Sequence, residues 1–134
     1  MHFVTQSTET NCFAACLASI LEVPIDSVPK GADGATWNLL EVQDWLNTEF
    51  DLQALEITFG SGGTIYPLSY PIVCIVTGKS PRGDKQHAVV AETCGLDGFK
   101  LIHDPHPTGM MIEGDPLFAT FFVPCDVLVT MRTN

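Results

Sequence analysis

Basic residues are scarce in this chain: six Lys and Arg stand against sixteen Asp and Glu, a formal net charge of −10. A nucleic-acid backbone or an anionic lipid surface would be repelled over most approaches, so neither nucleic acid nor membrane is an expected partner. Long apolar runs are missing as well. No stretch approaches the roughly 18 apolar residues of a spanning helix, and Met1-His2-Phe3-Val4 lacks the basic start and apolar run of a secretory signal. The chain reads as a cytoplasmic protein. Its five cysteines, at 12, 16, 74, 94 and 125, are odd in number and contain no Cys-x-x-Cys pair, so reduced thiols are expected rather than a disulfide framework. Internal repeats, low-complexity tracts and linkers are absent too. The span 1–134 reads as one domain, long enough to bury a core without metal or disulfide staples.

What is present changes character near residue 50. Phe13, Cys16, Leu17, Ile20 and Leu21 recur with the spacing of one buried helical stripe, and Ala14, Ala15 and Ala18 favour the same conformation. They predict a helix over about 12 to 22, with Asn11 as N-cap, Glu9 adding favourable charge near its start and Pro24 ending it. After the turn-rich segment 24 to 35, Thr36 is expected to cap a second helix over about 37 to 48, with Leu39, Val42, Trp45 and Leu46 on one face. The remainder breaks into short apolar runs bounded by Gly and Pro: LQALEITF, PIVCIV, HAVVAE, FKLIHD, MMIEG and FFVPCDVLVT. Helices followed by strands imply an α+β fold in which N-terminal helices pack on a mostly antiparallel sheet.

Within that frame four residues offer a chemistry. A thiol gains nucleophilicity when its thiolate is favoured, and the first turn of a helix is one place where free backbone N–H groups and the macrodipole do this. Cys12 is expected there, whereas Cys16 lies a turn deeper on the apolar stripe. Gln6, six residues before Cys12, can fold its amide back so that it and the Cys12 N–H aim at one oxygen. His87 opens one strand and Asp104 ends the next. If those strands are neighbours, Asp104 can hold the imidazole tautomer while the ring faces the thiol.

The order Gln6, then TNCFAACL at 10 to 17, QHAVVAE at 86 to 92 and HDPHPTG at 103 to 109 resembles the papain-like cysteine peptidases. It is most similar to the small bacterial double-glycine (bacteriocin-processing) peptidase domains, over about residues 4 to 110. The resemblance implies the papain-like fold and a cysteine hydrolase, whether peptidase, isopeptidase or amidase, that forms a thioester acyl-enzyme and needs no cofactor. It makes Cys12 the nucleophile, His87 the general base, Asp104 the residue orienting His87, and Gln6 the oxyanion donor. A peptide or protein substrate follows. One departure is Phe13, which stands where family members usually carry Gly directly after the nucleophile and narrows access to the thiol. It favours an alternative on the same scaffold, a non-catalytic binding module such as an inhibitor or adaptor; a third reading, acyl transfer to an amine, uses the same residues as the hydrolase.

The other features read as structure or rim. Cys16, Cys74, Cys94 and Cys125 are expected to be small buried apolar residues. His103 and His106 flank Asp104, but their spacing and that of Cys12 and Cys16 do not match zinc pairs, and no metal site is expected. His106 and Phe13 are the expected substrate-contact residues at the edge of the site. GSGG at 60 to 63 lacks the Lys-Ser/Thr ending of a phosphate loop and suggests a hairpin or substrate-side loop. The segment 77 to 86 gathers three basic residues before His87, as a solvated turn or a contact for an anionic substrate group. Trp37 and Trp45 are expected in the core of the second helix.

Overall fold

The computed structural model describes residues 1–59, 70–95 and 98–126. The GSGG loop at 60 to 63 lies outside the described residues. Helix α1 spans Cys12–Leu21 and α2 spans Leu39–Phe50, with 3₁₀ turns at Ile25–Ser27 and Lys30–Ala32 between them. Five strands follow: β1 Leu52–Thr58, β2 Val73–Lys79, β3 Gln86–Thr93, β4 Phe99–His103 and β5 Glu113–Pro124. They form a single sheet in the order β1-β5-β2-β3-β4, with every pairing antiparallel. The fold is thus α+β, with two helices packed on a five-stranded antiparallel sheet.

The element boundaries carry three corrections. Asn11 occupies the N-cap position of α1 but makes no side-chain cap bond. Its Oδ1 instead accepts from the Ser7 and Thr8 N–H groups at 3.1 and 3.0 Å, and its Nδ2 donates to Ser7 Oγ at 2.9 Å. The amide therefore braces the loop leading into α1. For α2 the cap is Asn38, not Thr36: Asn38 Oδ1 accepts from Glu41 N–H at 3.2 Å, and Trp37 falls outside the helix. The Thr36 hydroxyl is spent on the Lys30 carbonyl at 2.5 Å. Finally, the end of MMIEG, from Glu113, and the start of FFVPCDVLVT, to Pro124, belong to one strand, β5; Met110–Ile112 precede it, the last six residues of the second run follow it, and 127–130 lie outside the described residues.

Core packing follows from the alternation of each strand. Cys16 and Leu17 of α1, Val42 and Leu46 of α2, and Ile75, Ala88 and Val90 of the sheet form one buried cluster, with Ala54 and Phe122 at its margin. Cys74, Val76, Val89, Ala91 and Ala119 form a second cluster on the opposite sheet face. Because β2 and β3 are buried on both faces, their sequences read as continuous apolar runs rather than alternating ones. Helix α1 lies against β3 and β2, while α2 lies against β1. This arrangement brings the first residue of α1 to the strand that carries His87.

Candidate active site

Cys12 is the first residue of α1, and His87 is the second residue of β3. Both line an open cleft of about 710 Å³. β3 and β4 are antiparallel neighbours, with Val90 opposite His103, so the residue just past the end of β4 returns toward the start of β3. That residue is Asp104. His87 Nε2 donates to Asp104 Oδ1 at 2.6 Å, and both side chains are buried. The same carboxylate accepts the N–H groups of His106, at 2.9 Å, and Met111, at 2.8 Å. Met111 sits in the left-handed region, with φ 63°, a conformation uncommon for a side chain of its size that its bond to Asp104 helps hold. With Nε2 committed to Asp104, Nδ1 is the ring nitrogen left to serve the thiol.

The electrostatics differ from the expected pre-ionised thiolate. Burial pushes the Cys12 thiol up, and the nearby Asp104 charge adds to this; the backbone N–H groups of Ala88, Phe13 and Cys12 itself pull the other way without prevailing. Burial also holds His87 below the ordinary imidazole value, against the opposing hydrogen bond and charge of Asp104, with Arg82 and His106 lowering it further. For Asp104, burial acts upward, but the hydrogen bonds from His87, His106 and Met111 outweigh it and leave the carboxyl low. The resting arrangement is a neutral thiol, a neutral imidazole and a carboxylate. Among the described residues the thiol makes no side-chain hydrogen bond, to His87 included.

Gln6 is placed by a different set of bonds. Its N–H donates to the Pro105 carbonyl at 2.8 Å, tying the loop before α1 to the loop after Asp104. Its side-chain Nε2 donates to Thr8 O at 2.8 Å, while Oε1 is buried without a partner. Gln6 does not line the cleft. One of its two amide protons is engaged by Thr8, and the side chain is turned to that loop rather than to the cleft. His106 likewise lies off the cleft lining: its ring packs edge-on to His87 at 6.3 Å, and its Nδ1 meets the Thr108 hydroxyl at 2.9 Å. It buttresses His87. His103 donates Nε2–H to the Val4 carbonyl at 2.8 Å and stacks on Phe3 at 4.7 Å, so it anchors the N-terminal segment.

Phe13 does line the cleft, in edge-to-face contact with Trp37 at 5.2 Å. Trp37 is 46% exposed and is a cleft wall rather than a core residue; Trp45 is half-buried against Phe50. Cys16 and Cys74 are fully buried, and burial pushes the Cys74 thiol up to about 12. Cys94, expected inside, is exposed, and Cys125 is half-buried beneath the Asn47 amide. Of the basic segment 77 to 86, Lys85 reaches the cleft lining.

Sequence reasoning missed the floor of the cleft. Glu56, Phe118, Thr77 and Ala88 come from β1, β5, β2 and β3. They continue the sheet face that carries Ala54, Phe122, Ile75 and Val90 beneath the helices. A signal was present in the alternation: Thr77 and Glu56 are the polar residues that fall in phase with core positions. Among the described residues, no helix is long and apolar enough to cross a membrane, and no cluster of three or more His, Cys, Asp or Glu is arranged to hold a metal. No protein-family model matches the chain, and no curated protein matches it.

Proposed function

We propose that this chain is a papain-like cysteine hydrolase acting on a peptide, isopeptide or related amide bond through a Cys12 acyl-enzyme. The observation that carries the reading is the buried His87–Asp104 pair at 2.6 Å opening onto the same cleft as a thiol at a helix start. In the mechanism His87 Nδ1 takes the Cys12 proton as sulfur attacks the substrate carbonyl, and Asp104 stabilises the imidazolium so formed. Hydrogen bonds to reactive groups commonly tighten only when substrate is bound, as this step requires of the Cys12–His87 contact. The Cys12 N–H holds the oxyanion, and the Gln6 amide joins it on turning from Thr8 toward the cleft. Collapse breaks the C–N bond, with the imidazolium giving its proton to the leaving amine. Water, deprotonated by His87, then attacks the thioester, and the carboxylic acid leaves as sulfur regains its proton.

Incubation with a peptide vinyl sulfone at neutral pH, read by intact mass and peptide mapping, tests the reading. A single adduct on Cys12 is expected, absent in Cys12→Ser and formed about 10²-fold or more slowly in His87→Ala. An unmodified Cys12 beside a labelled Cys94 would overturn it. A second reading, a binding module that keeps the scaffold without turnover, is favoured by the burial that holds the thiol protonated and by Phe13. It expects Cys12→Ser to bind its partner unchanged and no acyl-enzyme to be trapped. Acyl transfer to an amine is told apart from hydrolysis by the product.

A further inference from the structure

Thr77 presents a problem of its own. It is 6% exposed, its Oγ1 is buried without a hydrogen-bond partner among the described residues, and it lines the cleft. An unpaired buried hydroxyl is costly unless something arrives to meet it. Its register neighbours are Ala88 on one side and Phe118 on the other, and Ala88 directly follows His87 on β3 and lines the cleft with Cys12. The orphan hydroxyl therefore stands on the floor one strand away from the strand that carries His87.

The surroundings say what kind of ligand would meet it. Phe118 forms the apolar floor beside Thr77, and Phe13 and Trp37 form an aromatic wall. Leu39, the first residue of α2, is 55% exposed at the same cleft. Charge is distributed unevenly along this floor. Glu56 enters from β1, at one edge of the sheet, and Glu9 enters from the loop before α1, whereas Lys85 enters just before β3. The strand order puts three inter-strand spacings between β1 and β3, about 14 Å, so the Glu56 end and the Lys85 end are distinct. The chain as a whole carries a net charge of −10, which reinforces attraction of a cation.

We infer that the cleft floor is a substrate subsite for a peptide carrying a large apolar side chain next to a basic one. The apolar side chain packs on Phe118 against the wall that Phe13 and Trp37 form together, the Thr77 hydroxyl bonds the peptide backbone at that residue, and Glu56 pairs with the neighbouring cation. The inference rests on the hydrolase reading for the name of substrate, but its test does not need turnover. Fluorescein-labelled hexapeptides carrying Lys beside Phe, in both orders, are titrated by anisotropy into the Cys12→Ala protein, with Glu-Phe and Lys-Gly counterparts as controls.

At least one Lys/Phe order is expected to bind about tenfold more tightly than both controls. Glu56→Gln is expected to remove most of the Lys-over-Glu preference. Thr77→Val, near in shape and relieved of an unpaired hydroxyl, is expected to keep or raise the melting temperature while weakening the Lys/Phe peptide about fivefold, the worth of one neutral hydrogen bond. Equal binding of all peptides, or unchanged affinity in Thr77→Val, overturns the subsite. Selective binding without a vinyl sulfone adduct on Cys12 would leave the subsite standing and sink the hydrolase. An adduct without selectivity would do the reverse.

Discussion

At the residue scale the decisive balance lies at Cys12. A helix N-terminus offers its sulfur the N–H groups of Cys12 and Phe13, and β3 adds that of Ala88. Such bonds stabilise a thiolate, but removing the sulfur from water disfavours it more. Burial also keeps His87 neutral, so the imidazole beside the thiol supplies no full positive charge to hold the anion. This separates the site from one with a standing thiolate–imidazolium pair, whose alkylation rate would already be flat at mildly acidic pH. Alkylation of Cys12 by iodoacetamide is expected to keep rising from pH 7 through pH 9, beyond the ordinary thiol pKa. A plateau below pH 6 would show an ion pair that this geometry does not favour. The same buried carboxylate that orients His87 contributes by adding negative charge near the sulfur, so Asp104 assists the base while opposing the resting thiolate.

At the element scale, the two helix starts set the walls of the cleft, and each is placed by an asparagine with a different task. Asn38 caps α2, and its N–H donates to the Gly31 carbonyl at 2.8 Å. Asn11 binds backward to Ser7 and Thr8, so α1 begins with the thiol-bearing residue while the preceding loop is held against it. Gly31 packs directly against the start of α2. A Cβ there would lie 2.7 Å from the Asn38 carbonyl oxygen, a backbone atom that cannot rotate away. Gly31→Ala is expected to cost about 1–3 kcal/mol in chemical denaturation and to move Trp37, seen as a changed tryptophan emission spectrum. Unchanged stability and emission would mean that this contact does not place the aromatic wall.

At the scale of the whole molecule, the buried His87–Asp104 pair links folding to pH. His87 is held below its ordinary value in the folded protein, so the unfolded chain takes up the proton first as pH falls past about 6.5. Folding stability is therefore expected to decline below that point, by at most about 1.4 kcal/mol per pH unit from this group while the folded imidazole stays neutral. Asp104, held low, contributes stability that is present above the ordinary carboxylate value near 3.9 and lost as pH falls through its lower folded value. Urea unfolding between pH 8 and pH 4 checks this: wild type should lose stability across pH 6.5 to 5, and His87→Gln should lose less. Equal slopes in the two proteins would locate the acid sensitivity elsewhere.

The local part of this protein is readable from residue order. Apolar spacing at Phe13, Leu17 and Leu21 places α1, and the alternation of short apolar runs places the strands that carry His87 and precede Asp104, because both periods are properties of contiguous backbone. The α+β class follows from the same reading. Side-chain choice at the boundaries was not readable: Asn11 and Thr36 have ordinary capping chemistry, yet nearby Ser7, Thr8 and Lys30 compete for their polar groups. The phase of Thr77 and Glu56 within their strands is local, but the assembly of the cleft floor belongs to the tertiary structure. Nothing in the chain order of Glu56, Thr77 and Phe118 announces that β5 enters between β1 and β2, and only that insertion sets them side by side. The same distinction governs the thiol: its place at a helix start is local, but the dielectric around it is decided by the strands and side chains folded over it from far away in the sequence.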